Sequence, residues 1–214
     1  DRNASVLKTV RKDLGDAEVW HSDLYGIQFD LPYRWVLDDG DAQDRVSIVM
    51  EPAHDEHNAQ LIIRQSGFIP QVLVGSEKRT SSEIASNTLS TGFFSIDDAS
   101  EPTILSNHIF TTENGKQAHL MVTTQDYETD TETLQFKVIQ IHFNNSENNY
   151  SVIYVNLSEW FRYEVMSFVQ VVSNLEIELD GKMQELDFDQ NVVYKQVIKD
   201  VKENQNLNHY HQQE

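Results

Sequence analysis

Alternation of apolar and polar positions is sharpest over Tyr25–Trp35. Tyr25, Ile27, Phe29 and Leu31 fall on one side of an extended chain, while Gly26, Gln28 and Asp30 fall on the other. That is the period of a strand with one buried face. Pro32 cannot donate to a sheet ladder, so the strand ends there, the chain turns through Pro32–Arg34, and Trp35 becomes a large apolar anchor. Val46, Ile48 and Met50 repeat the alternation, a third strand is expected over Gln60–Gln65, and Asp38, Asp39, Gly40 and Asp41 supply a turn between the first two.

Helical spacing is found in four places. Val6, Leu7, Val10 and Leu14 recur three and four apart before Gly15, which predicts a short amphipathic helix within a leader over residues 1–20. Thr80-Ser-Ser-Glu83 fits a capping box, with Ile84, Ala85, Thr88 and Leu89 as the stripe behind it and Gly92 as the stop. Ser158 is placed to cap a longer helix carrying Phe161, Val165, Phe168, Val169 and Val172, with Trp160 and Tyr163 on its rim. Asp189 is placed to cap a weaker one carrying Val193, Val197, Ile198 and Val201. Residues 66–79, with Gly67, Pro70 and Gly75 around Val72-Leu73-Val74, read as a mobile or edge connection.

From Thr103 onward the pattern returns to period two. Ile104–Thr112 and Lys116–Gln125 flank Asn114-Gly115, a hairpin signal because both turn positions favour positive φ. Leu134–Phe143 and Tyr150–Leu157 follow, separated by the turn-rich Asn144–Asn149, and Leu175, Ile177 and Leu179 alternate up to Asp180-Gly181. Four consecutive strands of this kind predict a meander whose face the Ser158-capped helix covers. No repeat or low-complexity linker divides the chain, so one α+β domain is expected over residues 21–178, with the leader before it and an acidic, partly disordered extension over 179–214.

Charge narrows the partners. Sixteen basic against thirty-five acidic residues give a net charge of −19, which repels phosphate backbones and anionic lipid surfaces and excludes nucleic acid as a natural partner. A basic protein or a divalent cation remains compatible with it. The absence of cysteine excludes disulfides and thiol chemistry, and no apolar run reaches the roughly 20 residues that span a bilayer. The first residue, Asp1, with no initiator Met or signal peptide, is expected to begin a mature or trimmed chain.

The candidate chemistry is sparse. Glu51, His54, Asp55 and His57 form the best metal candidate, since two imidazoles three apart beside carboxylates offer ligands to zinc, nickel or copper. The spacing is not that of a His-Glu-x-x-His zinc helix, and a solvated polar loop explains the same residues. Asp38, Asp39, Asp41 and Asp44 lack the spacing of a calcium loop, and His209 and His211 lie in a polar tail. His108, His119 and His142 fall inside expected strands, where a hydrogen-bonded or surface histidine is commoner than a catalytic one. Glu128, Asp130 and Glu132 read as a solvated connection. No nucleophile elbow, Walker loop or dinucleotide fingerprint occurs, so no catalytic residue and no cofactor is assigned.

The string aromatic-Gly-apolar-x-Phe-x-Leu-Pro-x-x-Trp at Tyr25–Trp35, the order of elements after it, and Met166-Ser-Phe168 on the closing helix together resemble the PsbP-type fold. That fold is shared by photosystem extrinsic subunits, the DcrB envelope lipoprotein and other bacterial lipoproteins. The resemblance covers roughly residues 20–178. It implies a central antiparallel sheet flanked by helices, an α-β-α sandwich, in a protein outside the cytoplasm and often lipid-anchored in bacteria, here through an anchor upstream of Asp1. It also implies a protein-binding accessory role without enzymatic activity, and it transfers no functional residue set. A small-ligand or divalent-metal binding module and a hydrolase with a discontinuous Ser, His and Asp site are the two rival readings.

Overall fold

The computed structural model describes residues 10–11, 18–22, 26–32, 35–38, 45–50, 68, 70–89, 93–111 and 117–185. Every strand pairing among them is antiparallel, in two sheets. The larger has β4 (Trp35–Asp38), β5 (Arg45–Met50), β6 (Gln71–Lys78), β7 (Thr103–Thr111), β8 (Gln117–Glu128), β9 (Thr133–Asn144) and β10 (Asn148–Leu157), in the order β4-β5-β6-β10-β9-β8-β7. The smaller has β1 (Val10–Arg11), β2 (Glu18–Ser22), β3 (Ile27–Asp30), β11 (Glu176–Leu179) and β12 (Lys182–Glu185), in the order β1-β2-β3-β11-β12. Among the described residues there are two helices, α1 (Ser81–Ser86) and α2 (Phe161–Ser173).

The core lies between the two sheets. Ile27 and Phe29 of β3 are buried as their alternation requires, and Phe29 meets Trp20 of β2 at a ring distance of 5.1 Å. Facing them across the core, β8, β9 and β10 contribute Leu120, Val122, Ile139, Ile141, Val152 and Tyr154. The apolar stripe of α2, Phe161, Val165, Phe168 and Val172, closes the same cluster, and Trp35 belongs to it as well. The start of α2 is fixed from beneath: Tyr154 Oη donates to Phe161 O at 2.9 Å, and Asn156 Nδ2 donates to Tyr154 Oη at 2.8 Å and to Trp160 O at 3.2 Å.

Over Phe136–Phe143, β9 is buried on both faces. Alternate residues Phe136 and Val138 point away from α2 into a second cluster with Ile153, Val155 and Leu157, covered by Phe68, Phe94, Ile96 and Trp160. Among the described residues this outer layer is chain without regular secondary structure. The α+β reading with a large antiparallel sheet therefore holds; the described cover on its outer face is a strap, and no helix flanks that face among the described residues.

Several local expectations are corrected. Of the helix expected over Val6–Leu14 only Val10–Arg11 is described, and it is strand, because it pairs with Glu18–Val19 of β2, whose Val19 and Trp20 in turn pair with β3 and are buried. Gln71–Lys78 is not an edge connection but the interior strand β6, paired with β5 and β10; Val72 and Val74 face the core and Leu73 the outer cluster. The capping box at Thr80 and Glu83 forms, yet α1 stops at Asn87, which adopts a left-handed φ of 52°, and buries no residue. Ser158 does not cap α2: the helix begins after Trp160, which makes no side-chain cap bond, and Tyr154 and Asn156 supply the anchoring instead. The Gln60–Gln65 strand, Asn114-Gly115 and the helix after Asp189 lie outside the described residues.

Candidate functional site

The β9–β10 turn and the β11–β12 turn come together at one end of the molecule and enclose a cleft of about 260 Å³. Among the described residues its lining includes Gly26, Asn145, Glu147, Tyr150, Glu178 and Asp180. Asn145 organises it. Its Oδ1 accepts from the backbone N–H of Glu147 at 2.8 Å and of Asn148 at 2.7 Å, which closes the turn as an Asx motif. Its Nδ2 donates to Tyr150 Oη at 2.9 Å and to the backbone oxygen of Glu178 at 3.3 Å, which ties the larger sheet to the smaller.

The second wall depends on two backbone devices. Asp180 and Gly181 take φ of 53° and 76° and join Leu179 to Lys182 by a two-residue hairpin turn, as their sequence signalled. Gly26, with φ of 62°, accepts from Glu178 N–H at 2.9 Å, and a Cβ at that position would stand 3.3 Å from Glu178 Cβ. The glycine in the Tyr25–Trp35 string thus lets β11 run close against the start of β3.

Behind the turn sits Arg79, only 8% exposed. It donates to three backbone oxygens, those of Asn145 at 2.9 Å, Glu83 at 2.8 Å and Thr88 at 2.7 Å, and so links the end of α1 to the turn.

The chemistry of the cleft is that of an anionic hydrogen-bonding recess. Glu147, Glu178 and Asp180 bring three carboxylates, and no lysine, arginine or histidine stands among the described residues that line it. Tyr150 stacks on Phe143 with ring centres 5.1 Å apart. Burial raises its phenol above the ordinary tyrosine range; the bonds from Asn148 and Asn145 oppose the shift, and the charges of Glu178 and Glu147 add to it. At neutral pH the phenol keeps its proton. This arrangement can hold a cationic group, through charge and through acceptors.

The residues singled out from sequence fall elsewhere. Glu51, His54, Asp55 and His57 lie outside the described residues, as do Asp39, Asp41, Asp44, His209 and His211. Among the described residues no group of three or more metal-ligating side chains occurs. His119 and His142 are buried partners across β8 and β9, bonded to Asn107 and Gln140 respectively, whereas His108 is exposed and stacks on Phe110. Glu128, Asp130 and Glu132 are exposed around a turn that Thr129 closes by bonding to Glu132. The cleft itself has no motif: its residues come from positions 26, 145–150 and 178–181, and the sequence marks them only as turns.

No protein-family model matches the chain, and no curated protein matches its sequence. In structure it is similar to the cyanobacterial PsbP protein CyanoP from Synechocystis sp. PCC 6803, with a TM-score of 0.51 at 10% sequence identity; the match covers 79% of this chain and 98% of that one. The fold is PsbP-like, as the Tyr25–Trp35 string and the order of elements implied.

Proposed function

We propose that the protein is a non-enzymatic binding module that acts outside the cytoplasm, and that it takes a lysine or arginine side chain of a partner protein into the cleft between the β9–β10 and β11–β12 turns. The observation that carries the reading is the composition of that cleft: three carboxylates and a protonated phenol around about 260 Å³, with no compensating cation among the described lining residues. The net charge of −19 favours encounter with a basic surface over long range, and the cleft supplies the local register. An accessory role in the cell envelope is the role that the PsbP-like fold suggests.

The test is affinity capture from envelope extracts with the wild-type chain and with a Glu147→Gln, Glu178→Gln, Asp180→Asn variant. The reading expects a partner that the wild type retains at about 50 mM salt and releases near 500 mM, since the Debye length falls to a few Å by about 1 M, and that the variant does not retain. A partner held equally by both proteins, or turnover of a substrate by the purified chain, contradicts it.

A further inference from the structure

The larger sheet ends on β7, and that edge differs from the other three sheet edges among the described residues. β4 has four residues and closes on Asp38, β1 has two and carries Arg11, and β12 has four with Lys182 and Glu185 at its ends. Short length and charge are devices that keep a strand edge from pairing with other chains. β7 runs for nine residues, Thr103–Thr111, and contains no proline, lysine, arginine or carboxylate. Its one irregularity is a bulge between Ile104 and Ser106.

The strand is open on both faces. Ala118, Leu120 and Val122 of β8 belong to the core, so Thr123, Met121 and His119 mark the outer face, and Ile104, Asn107 and Ile109 stand opposite them on that face. Ile104 and Ile109 are 58% and 63% exposed, and Leu105 in the bulge is 52% exposed. On the inner face Thr103 and His108 are exposed as well, while Phe110 reaches the core. Among the described residues no strand pairs with the far side of β7. Its outward N–H and C=O groups and these side chains therefore share about 30 Å of edge. The apolar margin continues inward from Ile109: its cross-strand neighbour His119 meets the exposed Phe93 ring at 4.8 Å. Phe93 begins the strap Phe93–Ile96, which Gln140 and Gln125 hold by accepting from Phe94 and Ile96 N–H.

We propose that β7 is a self-association edge, pairing antiparallel with β7 of a second copy of this chain about a two-fold axis and joining the two seven-stranded sheets into one. Charge selects this occupant. A basic partner finds no carboxylate on Thr103–Thr111, whereas two chains of net charge −19 can approach closely only where neither presents charge. An antiparallel edge is also its own complement, because the two-fold axis sets the N–H and C=O groups of one copy against those of the other. The pairing continues the antiparallel order of the whole sheet, and it withdraws Ile104, Leu105 and Ile109 from water in both copies at once.

Sedimentation velocity of the full chain at pH 7.5, over about 1 to 100 μM, tests this. The proposal expects a species of twice 24.7 kDa to grow with concentration. It expects that species to grow further as salt rises from about 50 to 500 mM, because screening relieves the repulsion between the copies; binding through the acidic cleft has the opposite salt dependence. Ile104→Lys and Ile109→Lys each make the chain less negative, so relief of repulsion alone would strengthen the dimer. Pairing at β7 requires instead that each substitution weaken it by at least about tenfold, with the urea midpoint of the dilute chain unchanged because both positions are exposed. Amide exchange should show protection within β7 that is lost on dilution, against a constant Ile139 in β9. A chain that stays monomeric over this range overturns the proposal, as does a dimer that keeps its affinity in Ile109→Lys or leaves β7 unprotected. Protection of β7 that arises only when envelope extract is added assigns the edge to another protein and overturns self-pairing too.

Discussion

Replacing Asn145 by alanine removes four hydrogen bonds at once, two accepted from the turn backbone and two donated to Tyr150 and Glu178. A net bond contributes about 1 kcal/mol, and a buried group left unpaired costs more. The two turn amides are part-buried, and water can satisfy them after the truncation, so their loss is discounted. The Tyr150 bond is buried and is not replaced. The sum is a loss of about 3 kcal/mol, which for a chain of this size lowers Tm by roughly 6–12 °C. Urea unfolding at pH 7.5 should show a lower midpoint with an unchanged slope. Asn145→Asp discriminates further. It keeps the oxygen that closes the turn but sets a fourth carboxylate beside those of Glu147, Glu178 and Asp180 and against the Glu178 carbonyl, so it should be no milder than alanine at pH 7.5 and should recover as the new carboxyl is protonated. A loss below about 1 kcal/mol in Asn145→Ala would refute the view that this residue joins the two sheets.

The remaining predictions concern Arg79, the tyrosines and the acidic loop. Arg79→Met leaves the oxygens of Asn145, Glu83 and Thr88 without their donor and should cost about 3 kcal/mol by urea unfolding, since bonds from a charged donor are the stronger kind; a loss under about 1 kcal/mol would show that the turn stands without it. Burial raises the phenols of both Tyr150 and Tyr154, the latter far more, so the folded state keeps protons that the unfolded chain releases near pH 10. Stability is therefore full below about pH 10 and falls as pH rises further, and Tyr154→Phe should flatten that fall in thermal melts. Zinc, nickel and calcium titrated calorimetrically to about 1 mM should give no saturable heat if residues 51–57 are a solvated loop; saturable heat that His54→Ala and His57→Ala remove would establish the metal reading.

Legibility from sequence followed the range of the determining contact. The alternation of Ile27 and Phe29, the stripe on α2 and the Asp180-Gly181 turn were readable because each is set within a few residues. β6 was not, because Pro70 and Gly75 break its local pattern, while its strand state comes from β5 and β10 on either side. Val10 and Trp20 carried helical spacing or none, and became strand through pairings that no local period encodes. The cleft was hidden for the same reason: Gly26, Asn145 and Glu178 are unremarkable turn and strand residues until the two sheets meet. Buried polar residues such as Gln140 and Gln125 sit on strand faces that sequence reasoning assigns to apolar packing, and only the strap above them explains their presence.

The central claim is that the cleft accepts a cationic side chain, and a titration of the isotopically labelled chain with a short arginine-rich peptide, followed by amide NMR shifts, tests it most directly. The account predicts saturable shifts confined to Asn145–Asn148, Tyr150 and Glu178–Gly181, abolished in the Glu147→Gln, Glu178→Gln, Asp180→Asn variant. Shifts spread over the acidic surface at large, or unchanged in that variant, would contradict it.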